Sequence, residues 1–182
     1  MSLSWSTGEG EILVNGGFES GDFSGWVKVN TDAGGFVIND GTLDPDGPED
    51  PVPPFTGRFA VVSQQTGAGR NVIYQEVTIS AGAISARLSW SDRIRNQASI
   101  FVDPDQEFRV EIRSTDDQVL AIAYSTNPGD TLLNDWTNRS FDLAEFVGQT
   151  IRIAFVEEDS FGFFNVHLDN ISVVLGTSGQ TT

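Results

Sequence analysis

Short runs of alternating apolar and polar residues, separated by glycine, proline, asparagine and aspartate, recur along this sequence. A two-residue period is typical of a half-buried β-strand, whereas a long amphipathic helix needs apolar residues three and four positions apart. The only helical suggestion is a turn at Leu143–Val147, ended by Gly148. We therefore predict an all-β fold of two antiparallel sheets. The predicted strands are Glu11–Val14, Trp26–Val29, Gly35–Ile38, Arg58–Ser63, Val72–Ile79, Ile84–Ser91, Gln106–Arg113, Gln118–Tyr124, Arg139–Asp142, Thr150–Glu157 and Phe163–Val174.

The chain has the length and apolar content of a single folded domain. Its 182 residues, 38% of them apolar before glycine is counted, are enough to bury a core. Residues 1–10 and 176–182 are mostly small and polar, so we expect a leader before the domain and a polar tail or linker after it. The predicted domain spans residues 11–175.

The composition excludes several classes of site. The chain has no cysteine, which rules out disulfides, thiolate zinc sites and a cysteine nucleophile, and His167 is its only histidine. The sequence also lacks a Gly-x-Ser-x-Gly elbow and a phosphate-binding loop. A net charge of −16 repels nucleic acid and anionic lipid, and no apolar run is long enough to cross a membrane. We expect no catalytic activity, no nucleic-acid partner and no membrane insertion, and the sequence defines no oligomeric state.

Charged residues occupy the polar positions of several predicted strands. In Gln106–Arg113 the inward positions are apolar, which leaves Arg109 and two glutamates outward, and Arg152 lies outward in Thr150–Glu157. If Ile84–Ser91 neighbours these strands, one interpretation is a solvated face held by cross-strand charge pairs, where alanine at Arg109 or Arg152 changes the melting temperature little. The other interpretation is a polar ligand-binding face. The predicted ligand-binding residues are Arg93, Arg95, Arg109 and Arg152.

Five segments in a fixed order give the chain a family resemblance. They are Asn15–Trp26 (NGGFESGDFSGW), Thr56–Ala60 (TGRFA), Leu88–Trp90 (LSW), Trp136–Phe155 and His167–Val173 (HLDNISV). In this order they resemble the galactose-binding-like β-jelly rolls, a group that includes calcium-containing carbohydrate-binding modules, MAM domains and cleaved-adhesin domains. The resemblance extends from Asn15 to about Val174. It implies a two-sheet antiparallel jelly-roll sandwich that is extracellular and non-catalytic.

The resemblance also implies a structural calcium ion near the two ends of the domain. Its ligands would be the carboxylates of Glu19 and Asp169 and the backbone carbonyls of Thr56 and Arg58. The residues themselves also single out Asp169, because the inward apolar parity of the last strand changes at Asp169-Asn170, which predicts a β-bulge. An acidic side chain beside apolar residues needs a partner, and either a calcium ion or backbone N–H groups would supply it.

The loop Asp40–Pro54, rich in proline and aspartate, offers a weaker candidate for a second cation site. Long loops of this kind often carry binding residues. Asp44, Asp46, Glu49 and Asp50 lie close together in sequence, but the remaining ligands of an EF-hand loop are missing. A solvated loop is the better interpretation.

These observations favour a secreted or cell-surface, non-catalytic ligand-binding module, with carbohydrate as the leading ligand. An adhesion or assembly domain that contacts a cell-surface protein is the alternative, and a glycan-cleaving jelly-roll enzyme is a third, weaker hypothesis. Tryptophans stack well on sugar rings, but Trp26, Trp90 and Trp136 have the parity or the position of packed residues. The outward face therefore has no predicted aromatic platform, which weakens the carbohydrate hypothesis.

Overall fold

A computed structural model describes residues 5–32, 34–43, 51–64 and 67–180, with the backbone alone at residues 5–9, 31–32 and 178–180. Within these ranges ten of the eleven predicted strands have a counterpart, which confirms the all-β fold, but the predicted strand Glu11–Val14 is wrong because it shares only Glu11 with the first observed strand. Their bounds are β1 Trp5–Glu11, β2 Val27–Asp32, β3 Gly35–Asn39, β4 Ala60–Gln64, β5 Gly69–Thr78, β6 Ala83–Asn96, β7 Glu107–Arg113, β8 Val119–Ser125, β9 Thr137–Asp142, β10 Thr150–Asp159 and β11 Phe164–Gln180. The predicted helical turn is a 3-10 helix at Ala144–Phe146. The second candidate cation site, at residues 44–50, lies outside the described residues.

The strands form two antiparallel sheets packed face to face. The six-stranded sheet has the order β3-β4-β11-β6-β9, with β1 paired to β11, and the five-stranded sheet has the order β2-β5-β10-β7-β8. This confirms the predicted two-sheet sandwich. However, β6 lies in the opposite sheet from β7 and β10, so its outward side chains do not share a face with theirs. Among the described residues, no helix has the length and apolar character needed to cross a membrane.

The core lies between the sheets and contains the side chains predicted to point inward. All three apolar inward residues of β7 are fully buried. Trp90 of β6 and Trp26 before β2 each lie with the ring centroid 6.1 Å from that of Phe155 on β10. Burial of one large apolar side chain contributes about 1.5–3 kcal/mol. These two tryptophans therefore stabilise the sandwich and are not available to a ligand.

The two ends of the described chain pair with each other. β1 and the last part of β11 form an antiparallel ladder from Trp5 opposite Gln180 to Glu11 opposite Val174. Residues 5–10 and 176–180, which we expected in a leader and a polar tail, thus extend the six-stranded sheet. Backbone N–H and C=O groups make this ladder, so it forms without an apolar alternation in the sequence. The Glu11 carboxylate adds to it by accepting a hydrogen bond from Val173 N–H at 2.9 Å.

Loops cover part of the outer face of the six-stranded sheet. Asn39 Nδ2 donates to the Val52 carbonyl at 2.8 Å and so anchors the segment before β4. The Trp136 ring, before β9, has its centroid 6.0 Å from that of His167 and 5.5 Å from that of Phe55. His167 alternates with the inward Val166 and Leu168 and so faces outward, yet it is completely buried. Burial lowers the pKa of its imidazole to about 3, so His167 is a neutral, packed side chain.

Candidate functional site

The predicted calcium ligands converge where the loop after β1 meets β11. Asp169 Oδ2 accepts a hydrogen bond from Thr56 N–H at 2.9 Å, and Asp169 Oδ1 accepts one from Asn170 N–H at 2.7 Å. Both carboxylate oxygens of Glu19 accept from Arg58 N–H, at 3.0 and 3.1 Å. The fold therefore brings together the four residues that the sequence analysis selected from distant parts of the chain.

Two local backbone features place these carboxylates. The pairing of β11 with β6 shifts register between Asp169 and Ser172, and Asn170 has a φ of 51°, which confirms the predicted bulge. Gly57 has a φ of 66°, and a β-carbon there would overlap Glu19 Oε1. Position 57 therefore requires glycine, both for its left-handed backbone and for the close approach of Glu19.

The negative charge of this cluster suits a cation, but few of the described residues offer an oxygen atom to coordinate one. Asp169 is completely buried, and burial together with the negative charge of Glu19 raises the pKa of its carboxyl to about 6. A calcium ion would relieve this penalty, since it prefers carboxylate, carbonyl and water oxygens. Thr56 and Arg58, however, present N–H groups to the carboxylates, and the described residues hold no group of three or more His, Asp or Glu side chains fit for a metal. Carbonyl and water oxygens would have to complete the about six to eight ligands that calcium takes.

A groove of about 450 Å³ crosses the outer face of the five-stranded sheet. Beneath it lies a small apolar cluster of β5 and β10 that includes Val72 and Val156, and Val72 and the Tyr74 ring packed against the cluster form the floor of the groove. Val29 and Val119, from the edge strands β2 and β8, also line the groove. An apolar floor surrounded by a few fixed polar groups is the usual form of a binding site for a small organic ligand.

Charged side chains of β5, β7 and β10 surround this floor. Arg109 is central, with Nη1 2.7 Å from Glu107, Nε 2.8 Å from Glu111 and Nη2 3.0 Å from Glu158. Arg70 Nε lies 2.7 Å from the same oxygen of Glu158. We refer to the following residues together as the groove network: Arg70, Arg109, Arg113, Arg152, Glu76, Glu107, Glu111, Asp117 and Glu158.

The middle of the groove network is more buried than its parity predicts. Glu107 and Glu111 are only 2% and 3% exposed, although both lie outward on β7. Burial opposes the charged form of Arg109, but hydrogen bonds to Glu111 and Glu107 hold the pKa of its guanidinium above the ordinary value. The prediction of a solvated charged face is therefore wrong for β7. Long side chains on neighbouring strands cover one another with their methylene groups, which a single-strand pattern does not show.

Arg152 lies at the more exposed end of the groove network. Its Nε is 3.2 Å from Glu76 and its Nη1 is 2.9 Å from Asp117, and these two carboxylate side chains are about half exposed, at 47% and 58%. The guanidinium carbon lies 4.9 Å from the ring centroid of Tyr74. Arg109 and Arg152, two of the predicted ligand-binding residues, thus lie on one face and line or adjoin one groove.

The other two predicted ligand-binding residues, Arg93 and Arg95, lie elsewhere. Register places them on β6 opposite His167 and Asn165 of β11, on the outer face of the six-stranded sheet. Arg93 is buried there, with Nη1 3.4 Å from His167 Nε2. Alternation assigns a side chain to a face of its own strand, but it does not show which sheet the strand joins.

Two exposed phenylalanines that the sequence analysis overlooked lie between β10 and β11. Phe161 and Phe163 are 62% and 65% exposed. Buried Gln106 fixes their loop, because its Oε1 accepts from the N–H groups of Ser160 and Phe161 at 3.1 and 3.0 Å, and its Nε2 donates to the Gly162 carbonyl at 3.2 Å. The Phe-Gly-Phe sequence was the available signal, since glycine weakens a strand interior and marks a turn.

The fold is shared with several solved structures of low sequence identity. TmCBM61, solved in complex with β-1,4-galactotriose, is 16% identical over 90% of this chain and 97% of its own, with a TM-score of 0.62. The K1 cleaved-adhesin domain of Lys-gingipain from Porphyromonas gingivalis W83 is 14% identical over 96% of this chain and 99% of its own, with a TM-score of 0.56. The Stig cyclase Fisc from Fischerella sp. TAU is 14% identical over 96% of this chain and 100% of its own, with a TM-score of 0.59.

These likenesses establish the fold. The chain is a β-sandwich jelly roll of the kind found in carbohydrate-binding modules and a cleaved-adhesin domain, which confirms the resemblance drawn from its motifs. A cyclase has the same architecture, so the fold by itself assigns no activity. No protein-family model and no curated protein matches the chain significantly.

Proposed function

We propose that this protein is a non-catalytic, secreted or cell-surface carbohydrate-binding module whose glycan site is the groove on the five-stranded sheet. The observation that carries the proposal is the groove itself, which combines an apolar floor with a fixed network of hydrogen-bonding groups. The likeness to TmCBM61, solved with β-1,4-galactotriose, supports an oligosaccharide as the class of ligand.

The groove offers the two kinds of contact that a sugar ring needs. A pyranose has C–H faces that pack on apolar or aromatic surface, here the half-buried Tyr74 ring and the exposed Val29 and Val119, and hydroxyl groups that donate and accept hydrogen bonds. Arg109 and its glutamates are already held in one arrangement by ion pairs. Because these side chains are ordered before the ligand arrives, binding costs less conformational entropy than it would with mobile arginines.

The pairing of the groove carboxylates supports a binding role and not glycoside hydrolysis. Hydrolysis needs one carboxylic acid that donates a proton and a second carboxylate near the scissile bond. Burial opposes the charged form of Glu111, but hydrogen bonds from Arg109 and Arg113 lower the pKa of its carboxyl below the ordinary value. Burial raises the pKa of Glu107, yet this side chain is 2% exposed and so is covered from a bound glycan.

The exposed loop between β10 and β11 supports the same function. It begins directly after Asp159, the last residue of β10, and Glu158 of the groove network precedes that residue. Phe161 and Phe163 carry exposed rings on a loop whose backbone is fixed by hydrogen bonds to Gln106. Rigid exposed aromatic rings suit stacking on sugar C–H groups, which is the platform that the sequence analysis did not find.

We also propose that calcium, bound by Glu19 and Asp169, is a structural part of this module. The supporting observations are the buried carboxylate of Asp169, its raised pKa and the nearby charge of Glu19. The ion would join the loop after β1 to β11 at a distance from the groove strands, so it would act on stability and not on glycan contact.

Calorimetric titration with neutral oligosaccharides, including β-1,4-galactotriose, tests the glycan proposal. We expect Tyr74→Ala and Arg70→Ala each to weaken binding about tenfold, since a lost stack or a lost charged hydrogen bond is worth roughly 1–2 kcal/mol. The matched control is Arg87→Ala, an exposed arginine on β6 of the other sheet, which should bind as the wild type does. Absence of binding to every neutral oligosaccharide, or equal losses in Arg87→Ala, would contradict the proposal.

A further inference from the structure

We infer that the groove selects neutral glycans and rejects acidic sugars such as uronic acids, an inference that rests on the proposed glycan site. It follows from the charge balance of the groove network, which holds four arginines and five carboxylates. A groove lined by arginines would ordinarily attract anions. Here the carboxylates outnumber the guanidinium groups.

Each arginine of the groove network already contacts a carboxylate. Arg109 contacts three, all within 3.0 Å, and Arg113 lies 2.6 Å from Glu111. Arg70 lies 2.7 Å from Glu158. The same holds at the exposed end, where Arg152 has two carboxylate partners.

An acidic sugar that reaches a spare N–H group of these guanidinium groups would therefore place its own carboxylate beside a carboxylate of the protein. The protein carboxylates would remain close by, because Glu107 and Glu111 are buried and paired with Arg109. Like charges at such short range in a partly buried site repel strongly. The −16 charge of the chain adds long-range repulsion of any polyanion.

A neutral glycan avoids both costs. Its hydroxyl groups accept from guanidinium N–H groups and donate to the more exposed carboxylates, those of Glu76, Asp117 and Glu158, without breaking an ion pair, since each of these groups has more sites than one partner uses. Hydrogen bonds of this kind do not depend on net attraction of charge. Binding of a neutral glycan should therefore change little with salt.

The test compares polysaccharides that differ in charge. Wild-type protein is run by affinity electrophoresis against β-1,4-galactan and polygalacturonate, and against highly methyl-esterified and de-esterified homogalacturonan, at about 0.05 and about 0.5 M NaCl. We expect retardation by neutral polymers at both salt concentrations and none by their acidic counterparts.

A variant that neutralises two carboxylates tests whether charge repulsion causes the rejection of acidic sugars. The double variant Glu76→Gln/Asp117→Asn removes both carboxylate partners of Arg152 and leaves the groove network with one more arginine than carboxylate. Both side chains are about half exposed, so the variant should fold, and its melting curve checks this. We expect about a tenfold gain in affinity for polygalacturonate at low salt, lost at high salt.

The matched control, Glu145→Gln/Asp135→Asn, changes the net charge of the chain equally at exposed positions outside the five-stranded sheet. It should gain no affinity for polygalacturonate. Wild-type protein that binds polygalacturonate as tightly as neutral polymers would overturn this inference and leave the glycan site standing. A folded double variant with no gain would also overturn it. Wild-type protein that binds no polysaccharide at all would instead overturn the proposed function together with this inference.

Discussion

Asp169 joins the last strand to the segment before β4, and its partners bear directly on stability. If a calcium ion binds Asp169 and Glu19 in the native state only, it stabilises the fold by mass action, by about 2.7 kcal/mol at a free concentration about 100 times Kd. EDTA should then lower the melting temperature by several degrees and calcium should restore it. Magnesium should be a poor substitute, because it demands tighter octahedral geometry. Differential scanning calorimetry in the two buffers measures this.

The variants Glu19→Gln and Asp169→Asn should abolish the calcium response and keep an all-β circular dichroism spectrum at low temperature. Glu145→Gln, the same type of change on the exposed 3-10 helix, should keep the full response. Identical wild-type melting in EDTA and in calcium, with no bound ion found by metal analysis, would contradict the calcium proposal. Backbone N–H groups would then be the only partners of Asp169.

Without calcium, Asp169 should make stability fall as the pH rises from about 4 to about 6. The pKa of its carboxyl is about 6 in the folded protein against an ordinary value of 3.8, so in this window the folded state holds a proton that the unfolded chain has released. This contribution to stability is complete below the lower pKa and lost above the higher one. In urea unfolding with EDTA, the wild type should lose roughly 2–3 kcal/mol relative to Asp169→Asn across the window. Parallel pH profiles of the two proteins would count against a buried, ionisable Asp169.

At the scale of single residues, the sequence could locate the cluster of Glu19 and Asp169 but not the backbone groups that face their carboxylates. The parity change at Asp169 signalled a bulge, and the motif resemblance selected Glu19. Whether Thr56 and Arg58 turn an N–H or a carbonyl toward the carboxylates depends on the φ and ψ angles of the loop around Gly57. That loop is hydrogen-bonded to Asp169 of β11, which is remote in sequence, through Thr56 N–H.

Among the elements, β7 is the strand whose energetics differ most from the sequence expectation. Arg109→Ala should destabilise the protein strongly, by about 3–5 kcal/mol, because it leaves Glu107 and Glu111 buried without their shared partner. Arg152→Ala on neighbouring β10 should change the melting temperature little, since its partners Glu76 and Asp117 remain solvated. Chemical denaturation of both variants measures the difference, and equal losses would show that the two arginines are equally buried.

The loop between β10 and β11 should contribute to binding and not to folding. Phe161→Ala/Phe163→Ala removes two exposed rings while the backbone remains held by Gln106. We expect about a 3- to 10-fold loss of affinity for a neutral glycan, the range of a lost aromatic contact, with an unchanged melting temperature. Ile84→Ala, an equally exposed apolar position on β6, is the control and should bind normally. An unchanged affinity in the double variant would exclude the loop from the site.

Most elements could be predicted because strand periodicity and turn residues are local signals. Ten of the eleven predicted strands have a counterpart, including β8 and β10, whose edges moved by only a few residues. β1 and the last part of β11 were not predicted. β1 has little apolar alternation and forms through backbone pairing with β11. Phe163 was predicted to begin the last strand, because the sequence does not distinguish an exposed aromatic residue from a buried one.

At the scale of the whole molecule, no local sequence pattern shows which strands share a sheet. β6 and β7 are consecutive and both carry outward arginines, yet they lie in different sheets. This single topological fact divides the predicted arginines between a loop-covered face and an open groove. It follows from long-range pairing of β11 with β6 and of β10 with β7, which no single strand can reveal.

The central claim is that a neutral glycan binds across the five-stranded sheet, and amide chemical-shift mapping tests it most directly. Titration of the 15N-labelled protein with a neutral oligosaccharide, first β-1,4-galactotriose and then other hexose oligomers, should shift the amides of β5, β7 and β10 around Val72, Tyr74 and Arg109. The amides of Arg93 and Arg95 on the other sheet should stay unchanged. Shifts confined to the six-stranded sheet, or no shifts with any neutral oligosaccharide at millimolar concentration, would contradict the claim.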